Sequence, residues 1–143
     1  MTDTAPTPHA LRRAKLFWEQ AGLDSRGARR KHKARAYLES GYLSFQAALN
    51  ALAAVCYLNA KFQLPNYSAV QMAGLCAAVD ARFDAIREAC EALEAVQQHG
   101  PFDSGADEAG LARLSAEGLR QSARVIAATR AYLKAHRKRF FAP

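Results

Sequence analysis

Apolar side chains recur at steps of three and four residues along most of this 143-residue chain. The clearest series starts at Leu38 and continues to Asn59, and two further series follow it. This spacing places the apolar residues on one face of an α-helix, whereas a strand needs strict alternation. Because no alternating segment interrupts the pattern, the chain is predicted to be all-α.

Four helices are predicted from these patterns and from their start and stop signals. A short N-terminal helix is expected to begin at Thr7-Pro8. The Thr7 hydroxyl can cap the helix N-terminus, and Pro8 stands at the first position, where its missing N–H would have no helical partner. It is expected to end at Gly22, because glycine commonly follows a helix C-terminus. Three long helices are then expected over residues 31–61, 68–98 and 107–140, the second of them opened by a capping box.

These helices must bury their apolar faces against one another. The expected architecture is an antiparallel up-down helical bundle of three long helices plus one short N-terminal helix. The length suits a single domain over residues 1–143, with residues 1–6 expected to be flexible. The core stripe predicted for the middle long helix is Met72, Cys76, Val79, Phe83, Ile86, Cys90, Leu93 and Val96.

The sequence offers little catalytic machinery. None of its four histidines has a His, Cys or carboxylate partner at a ligand spacing, so neither a metal nor a cofactor is predicted. A glycine-rich phosphate loop is also absent from the sequence. Three cysteines without a Cys-x-x-Cys pair, and no signal-peptide pattern, predict buried reduced thiols in a cytoplasmic protein without a membrane span.

Positive charge is concentrated towards the two ends of the chain. Residues 1–40 hold 9 Lys and Arg against 4 Asp and Glu, and residues 101–143 hold 8 against 4. This asymmetry fits an anionic partner, or a solvated surface with favourable charges at helix ends. The residues assigned to nucleic-acid or anion binding are Arg29, Arg30, Lys31, Lys33, Lys134, Arg137, Lys138 and Arg139. The aromatic residues placed to stack on bases are Tyr37, Tyr42, Phe140 and Phe141.

Arg130 and His136 are separated by five residues near the end of the chain. Together with the helical pattern of residues 33–141, this Arg-x5-His spacing resembles the HEPN superfamily of compact helical bundles. The segments 34–42 and 100–105 are also similar to uncharacterised bacterial members. In its nuclease members the Arg and His act on the phosphodiester, usually across a dimer interface. The resemblance therefore implies Arg130 and His136 as candidate catalytic residues of a metal-independent endoribonuclease.

The preferred prediction is nevertheless a protein that binds a protein partner or RNA, without catalysis. Ala131 stands where active HEPN members often carry a polar residue, and six helical residues turn Arg130 and His136 about 120° apart. The inward stripes are also expected to fill space, with no charged hollow between the helices. Nuclease activity is the alternative function, and a homodimer is a further expectation.

Overall fold

The computed structural model describes residues 6–60, 68–99 and 107–141, and every regular element in these ranges is helical. The all-α prediction is thus confirmed. The five α-helices are α1 (Pro8–Lys33), α2 (Tyr37–Leu58), α3 (Ala69–Ala77), α4 (Arg87–His99) and α5 (Glu108–His136). Short 3-10 turns cover Ala81–Phe83 and Lys138–Phe141. Except for Pro6, the N-terminal residues predicted to be flexible lie outside the described residues.

The N-terminal helix is long, and the prediction that it ends at Gly22 is wrong. The predicted Thr7 cap is confirmed, since its Oγ1 accepts from the Ala10 N–H at 3.1 Å, but α1 continues for 26 residues. Its buried alanines, which include Ala14, Ala21 and Ala28, repeat every seven residues along the contact with α2. This continuous contact outweighs the cost of a helical glycine, which is about 1 kcal/mol.

A tight turn at residues 34–36 separates α1 from α2, where one helix was predicted from residue 31 onwards. Arg35 adopts a left-handed conformation with φ 63°. The Ala36 N–H donates to the Lys31 carbonyl at 2.8 Å. This hydrogen bond is typical of the Schellman ending of a helix, in which the left-handed residue is usually glycine. Because arginine occupies that position here, the sequence gives no visible stop signal.

The helix predicted over residues 68–98 is divided at Asp80. Its capping box is confirmed, because Ser68 and Gln71 each accept a backbone N–H from the other. At Asp80 the backbone is extended, and Oδ1 accepts from the Arg82 N–H at 2.9 Å. A short polar side chain that bonds locally in this way competes with the helix.

The apolar stripe predicted for this divided segment forms part of the core despite the break. Its buried members are Met72, Cys76, Phe83, Ile86, Cys90 and Leu93, while Val79 and Val96 are half-buried. The short turn between α3 and α4 keeps Phe83 inside, where its ring lies 5.7 Å from that of Tyr132 on α5. The residues of the stripe therefore still face the core, although the backbone changes direction between α3 and α4.

Contacts at both ends show that α1 and α5 run in opposite directions. His32 Nδ1 of α1 lies 2.7 Å from Ser115 Oγ near the start of α5. At the other end of α5, Phe141 meets the ring of Trp18, in the N-terminal half of α1, edge to face at 6.2 Å. The helix α2 packs against both, while α3 and α4 pack against α2 and α4 also contacts α5. The described ranges contain five α-helices of 26, 22, 9, 13 and 29 residues, so the predicted count of three long helices and one short one is not confirmed.

By length and composition alone, α2 is apolar enough to cross a membrane. In the fold it is the central helix, and over half of its most apolar window is buried against the other helices. Core helices of globular proteins meet the same criterion. The apolarity of α2 is accounted for by its position in the core.

Candidate functional site

An open cleft of about 650 Å³ lies between α1 and α5, midway along both helices. Its small and apolar lining residues include Ala21, Gly22, Ala123, Ile126 and Ala127. Its aromatic and charged lining residues are Trp18, Glu19, Arg26, Arg29 and Arg130. Because small residues on both helices face each other here, for example Gly22 and Ala127, the two helices leave a groove between them at this level.

Three guanidinium groups surround the cleft. The Cζ of Arg130 lies over the Trp18 ring, 5.7 Å from its centroid. Arg29 Nη1 donates to Ser25 Oγ at 3.0 Å. Arg26 folds back along α1, since a Cβ added to Gly22 would lie 3.3 Å from its Nη1.

These three arginines have no carboxylate partner among the described residues. The acidic side chain on the cleft lining is Glu19, so cations outnumber it by 3 to 1. An anion is attracted to such a group of unpaired cations beside low-dielectric walls. One wall of this cleft is α1, which was predicted as the short helix, so the expectation that the three long helices enclose no charged hollow stays a prediction. The cleft itself is lined by three cations and one carboxylate.

The predicted anion-binding residues of α1 are distributed between this cleft and the end of the helix. Arg29 lines the cleft, whereas Arg30 and Lys33 are exposed beyond it. Lys31 is bound to Glu39 of α2, with an Nζ–Oε2 distance of 2.8 Å. This part of α1 therefore offers an exposed cationic surface that extends the cleft in one direction.

The predicted anion-binding residues of the C-terminal segment lie near the opposite end of α1, because α1 and α5 are antiparallel. Lys134 is exposed. Arg137 is partly buried, and its Nη2 donates to Asn59 Oδ1 at 3.3 Å. Lys138 and Arg139 lie in the last 3-10 turn, and their side chains are outside the described part of the structure. Among the cations whose side chains the structure describes, the two predicted groups thus lie apart.

Arg130 and His136, the predicted catalytic pair, have partners in different parts of the fold. Arg130 faces Trp18 of α1 across the cleft. His136 Nε2 lies 3.0 Å from Asp80 Oδ2, in the turn that follows α3. Their joint action on one phosphodiester stays a prediction.

The Asp80 carboxylate sits in a small polar cluster. Burial alone would raise the pKa of Asp80, but hydrogen bonds from the Arg82 backbone and side chain, and the charges of Arg82 and His136, lower that pKa overall. Asp80 is therefore held as an anion between Arg82 and His136. The Tyr132 ring lies 5.2 Å from the His136 ring and completes the cluster.

Sequence reasoning missed Trp18 and Arg26 as site residues. Of the aromatics predicted to stack on bases, Tyr42 and Phe141 are exposed, whereas Phe140 is buried. The order of Trp18, Gly22 and Arg26 along the chain matches no sequence motif for a binding site.

All three cysteines are buried thiols, as predicted. Cys56 Sγ lies 3.8 Å from Cys76 Sγ, and the hydrogen bond with Cys56 together with burial raises the pKa of Cys76. Burial and the nearby Glu94 and Glu91 raise the pKa of Cys90 to about 12. Protonated thiols of this kind are unreactive. Among the described residues, no three His, Cys, Asp or Glu side chains form a group that could hold a metal ion.

The fold and the cleft together define an all-helical protein with a cationic groove. No family model matches the chain, and neither a curated protein nor a solved structure gives a significant match. The resemblance to the HEPN superfamily accordingly stays a prediction.

Proposed function

We propose that the protein binds single-stranded RNA along the side formed by α1 and α5, with the cleft at its centre. The observation that carries this proposal is one cleft lined by Trp18 and by three guanidinium groups that have no carboxylate partner among the described residues. Binding of single strands combines cations that follow the backbone with aromatic rings on which bases stack. Arg26, Arg29 and Arg130 supply the first element, and Trp18 supplies the second.

The distribution of charge over the helices supports the same side of the molecule. Helix α1 carries eight Lys and Arg against two acidic residues, and α5 carries five against two. Helix α4, which packs against α5 and α2, carries one Arg against three Glu. A helix of 26 residues is about 39 Å long. An extended polyanion therefore finds cations along a path much longer than the cleft itself.

Three finer features belong to this proposal. The divided α3–α4 segment takes the place of one long helix, which makes the architecture an up-down bundle. The protein acts in the cytoplasm, where buried thiols such as Cys56, Cys76 and Cys90 stay reduced. A homodimer would place two clefts on one particle and lengthen the path available to RNA.

Replacing Arg26 and Arg130 together with glutamine is expected to raise the Kd for a labelled single-stranded RNA at least about tenfold. Each lost charge-assisted contact costs roughly 1 kcal/mol or more. The slope of log Kd against log salt should also fall by about 1.4, since each phosphate contact on a single strand contributes about 0.7. Fluorescence anisotropy at several salt concentrations measures both quantities.

The matched control is Arg87→Gln, which removes the same charge from a half-exposed arginine of α4 that pairs with Asp84. An equal loss of affinity in this control would show that net charge, rather than the cleft, determines binding. Salt-independent or undetectable RNA binding by the unaltered protein would contradict the proposal. Tighter binding of an acidic peptide than of RNA would favour a protein partner instead.

A second candidate function, metal-independent RNA cleavage, is favoured by the contact of His136 with Asp80. A carboxylate that orients an imidazole and stabilises its charged form is the usual support of a general base. With Nε2 turned to Asp80, Nδ1 of the same ring is left for a substrate proton. The predicted partner Arg130 faces another helix, so we rank this function below binding.

Labelled RNA incubated with the protein in EDTA is expected to stay intact, because the cleft holds cations but no acid–base pair. The measurement is gel separation of the products over several hours. Cleavage that disappears in His136→Ala, but persists in the control His32→Ala, would establish the nuclease function and replace the binding proposal.

A further inference from the structure

A smaller pocket of about 150 Å³ lies beside the cleft, between α1, α2 and α5. The two share Ser25, Arg29 and Ala123 in their linings, so the pocket adjoins the cleft. The remaining lining includes Ser44 of α2 and Ser122 of α5. The pocket therefore extends the cleft towards the interior of the bundle.

Two hydroxyl groups in this pocket are buried without a hydrogen-bond partner among the described residues. Ser44 is 1% exposed and Ser122 is 4% exposed. Other buried hydroxyls in the fold are paired, for example Ser40 with the Ala28 carbonyl at 2.8 Å. Buried polar groups in native proteins are almost always paired. Two unpaired hydroxyls on the walls of one pocket are hydrogen-bond donors for a ligand or a water molecule that enters it.

The charge of the pocket determines the kind of ligand. Arg29 lines the pocket. Among the described residues, the hydrogen bond that its guanidinium group makes is the one to Ser25 Oγ. No carboxylate is among the lining residues of the pocket. Serine hydroxyls and a guanidinium group donate hydrogen bonds to negatively charged oxygens. A water molecule has a share of about 30 Å³ in the liquid, so the pocket has space for a larger group.

We propose that this pocket binds a phosphate monoester, with Ser44 and Ser122 donating to its oxygens and Arg29 balancing its charge. The inference rests on the proposed function, because the cleft would hold the rest of an RNA whose terminal phosphate enters the pocket. An internal phosphodiester is joined to nucleotides on both sides. A pocket that adjoins the cleft on one side has room for a phosphate with only one nucleotide attached, which is a monoester. A free mononucleotide carries the same monoester group.

The test compares one RNA sequence with a 5′-phosphate, a 3′-phosphate or hydroxyls at both ends. One phosphorylated form is expected to bind about tenfold more tightly than the hydroxyl form. The double variant Ser44→Ala/Ser122→Ala should lose this preference and still bind the hydroxyl form unchanged. The control is Thr129→Val, since the buried Thr129 hydroxyl already donates to the Val125 carbonyl of its own helix.

Adenosine 5′-monophosphate, with adenosine as its control, separates the two sources of the monoester. Binding of the free nucleotide as tightly as the phosphorylated RNA identifies the nucleotide as the ligand. If adenosine 5′-monophosphate binds much more weakly than the phosphorylated RNA, and competes with that RNA but not with the hydroxyl form, the terminal phosphate of RNA is the ligand. Equal affinity for all three RNAs overturns the inference and leaves the proposed function standing. Failure to bind any RNA, with the nucleotide bound, overturns the proposed function alone.

Ser122→Val separates a loss of binding from a loss of folding. Valine replaces the hydroxyl with an apolar group that fills part of the pocket, so the fold does not lose packing. The expected result is loss of the phosphate preference with a melting temperature that is unchanged or raised. If the two hydroxyls only hold a structural water, Ser44→Ala and Ser122→Ala lower the melting temperature and leave all RNA affinities alone. That outcome overturns the inference.

Discussion

Replacing Phe83 with alanine is expected to lower the free energy of unfolding by about 3–5 kcal/mol. The Phe83 side chain is 0% exposed and belongs to the short turn between α3 and α4. Its ring packs against Tyr132, whose hydroxyl in turn accepts from Asn59 Nδ2 at 2.9 Å. Alanine would leave a cavity where α2, α5 and the turn meet, and the surrounding helices can close it only in part.

Chemical denaturation followed by circular dichroism measures this loss. The control is Leu16→Ala, because Leu16 is 59% exposed and its truncation should change stability by less than about 0.5 kcal/mol. A cost below about 1 kcal/mol for Phe83→Ala would show that the turn is not anchored in the core. The position of Asp80, three residues earlier, would then also be in question.

Replacing Gly118 with leucine is expected to destabilise the protein by about 2 kcal/mol, whereas alanine should stabilise it by about 0.5–1 kcal/mol. A Cβ at Gly118 would lie 3.5 Å from Ser44 Cβ and 3.9 Å from the Gly41 Cα, which is ordinary contact. The methyl group of alanine therefore fits and favours the helix. The larger leucine side chain would push α2 away from α5.

Thermal and chemical unfolding of both variants test this difference in sign. Gly41→Ala is the matched control on α2, because a Cβ there meets nothing within 4 Å and should also stabilise the helix. A similar loss from alanine and leucine at Gly118 would contradict the close but unstrained approach of the two helices.

The periodicity of the sequence was enough to predict an all-α fold and most of the core, because helical spacing directly determines which residues share a face. It could not predict the two breaks at Arg35 and Asp80. The first uses a left-handed arginine in a position where glycine is the usual signal. The second depends on the Asp80 carboxylate accepting from the backbone N–H of Arg82, two residues later, and an aspartate in a helical pattern does not indicate this.

The cations of the candidate site were visible in the sequence, but their meeting was not. Arg26 and Arg130 are about a hundred residues apart, and they line one cleft because α1 continues past Gly22 alongside α5. A first helix ending at Gly22 would never reach that position. The unpaired Ser44 and Ser122 hydroxyls are likewise a property of three packed helices and have no signature in the chain.

The uneven charge of the helices has a kinetic consequence. Positive charge is concentrated on α1 and α5, and α4 carries an excess of glutamates, so the molecule has a permanent dipole moment. In the field of a polyanion, such a dipole turns the more positive side of the molecule towards the polyanion during diffusion, before any contact forms. The association rate constant then depends on ionic strength, because the field is screened beyond about 8 Å in physiological salt. In the proposed complex with RNA, the dissociation rate constant would be set by the short-range contacts in the cleft.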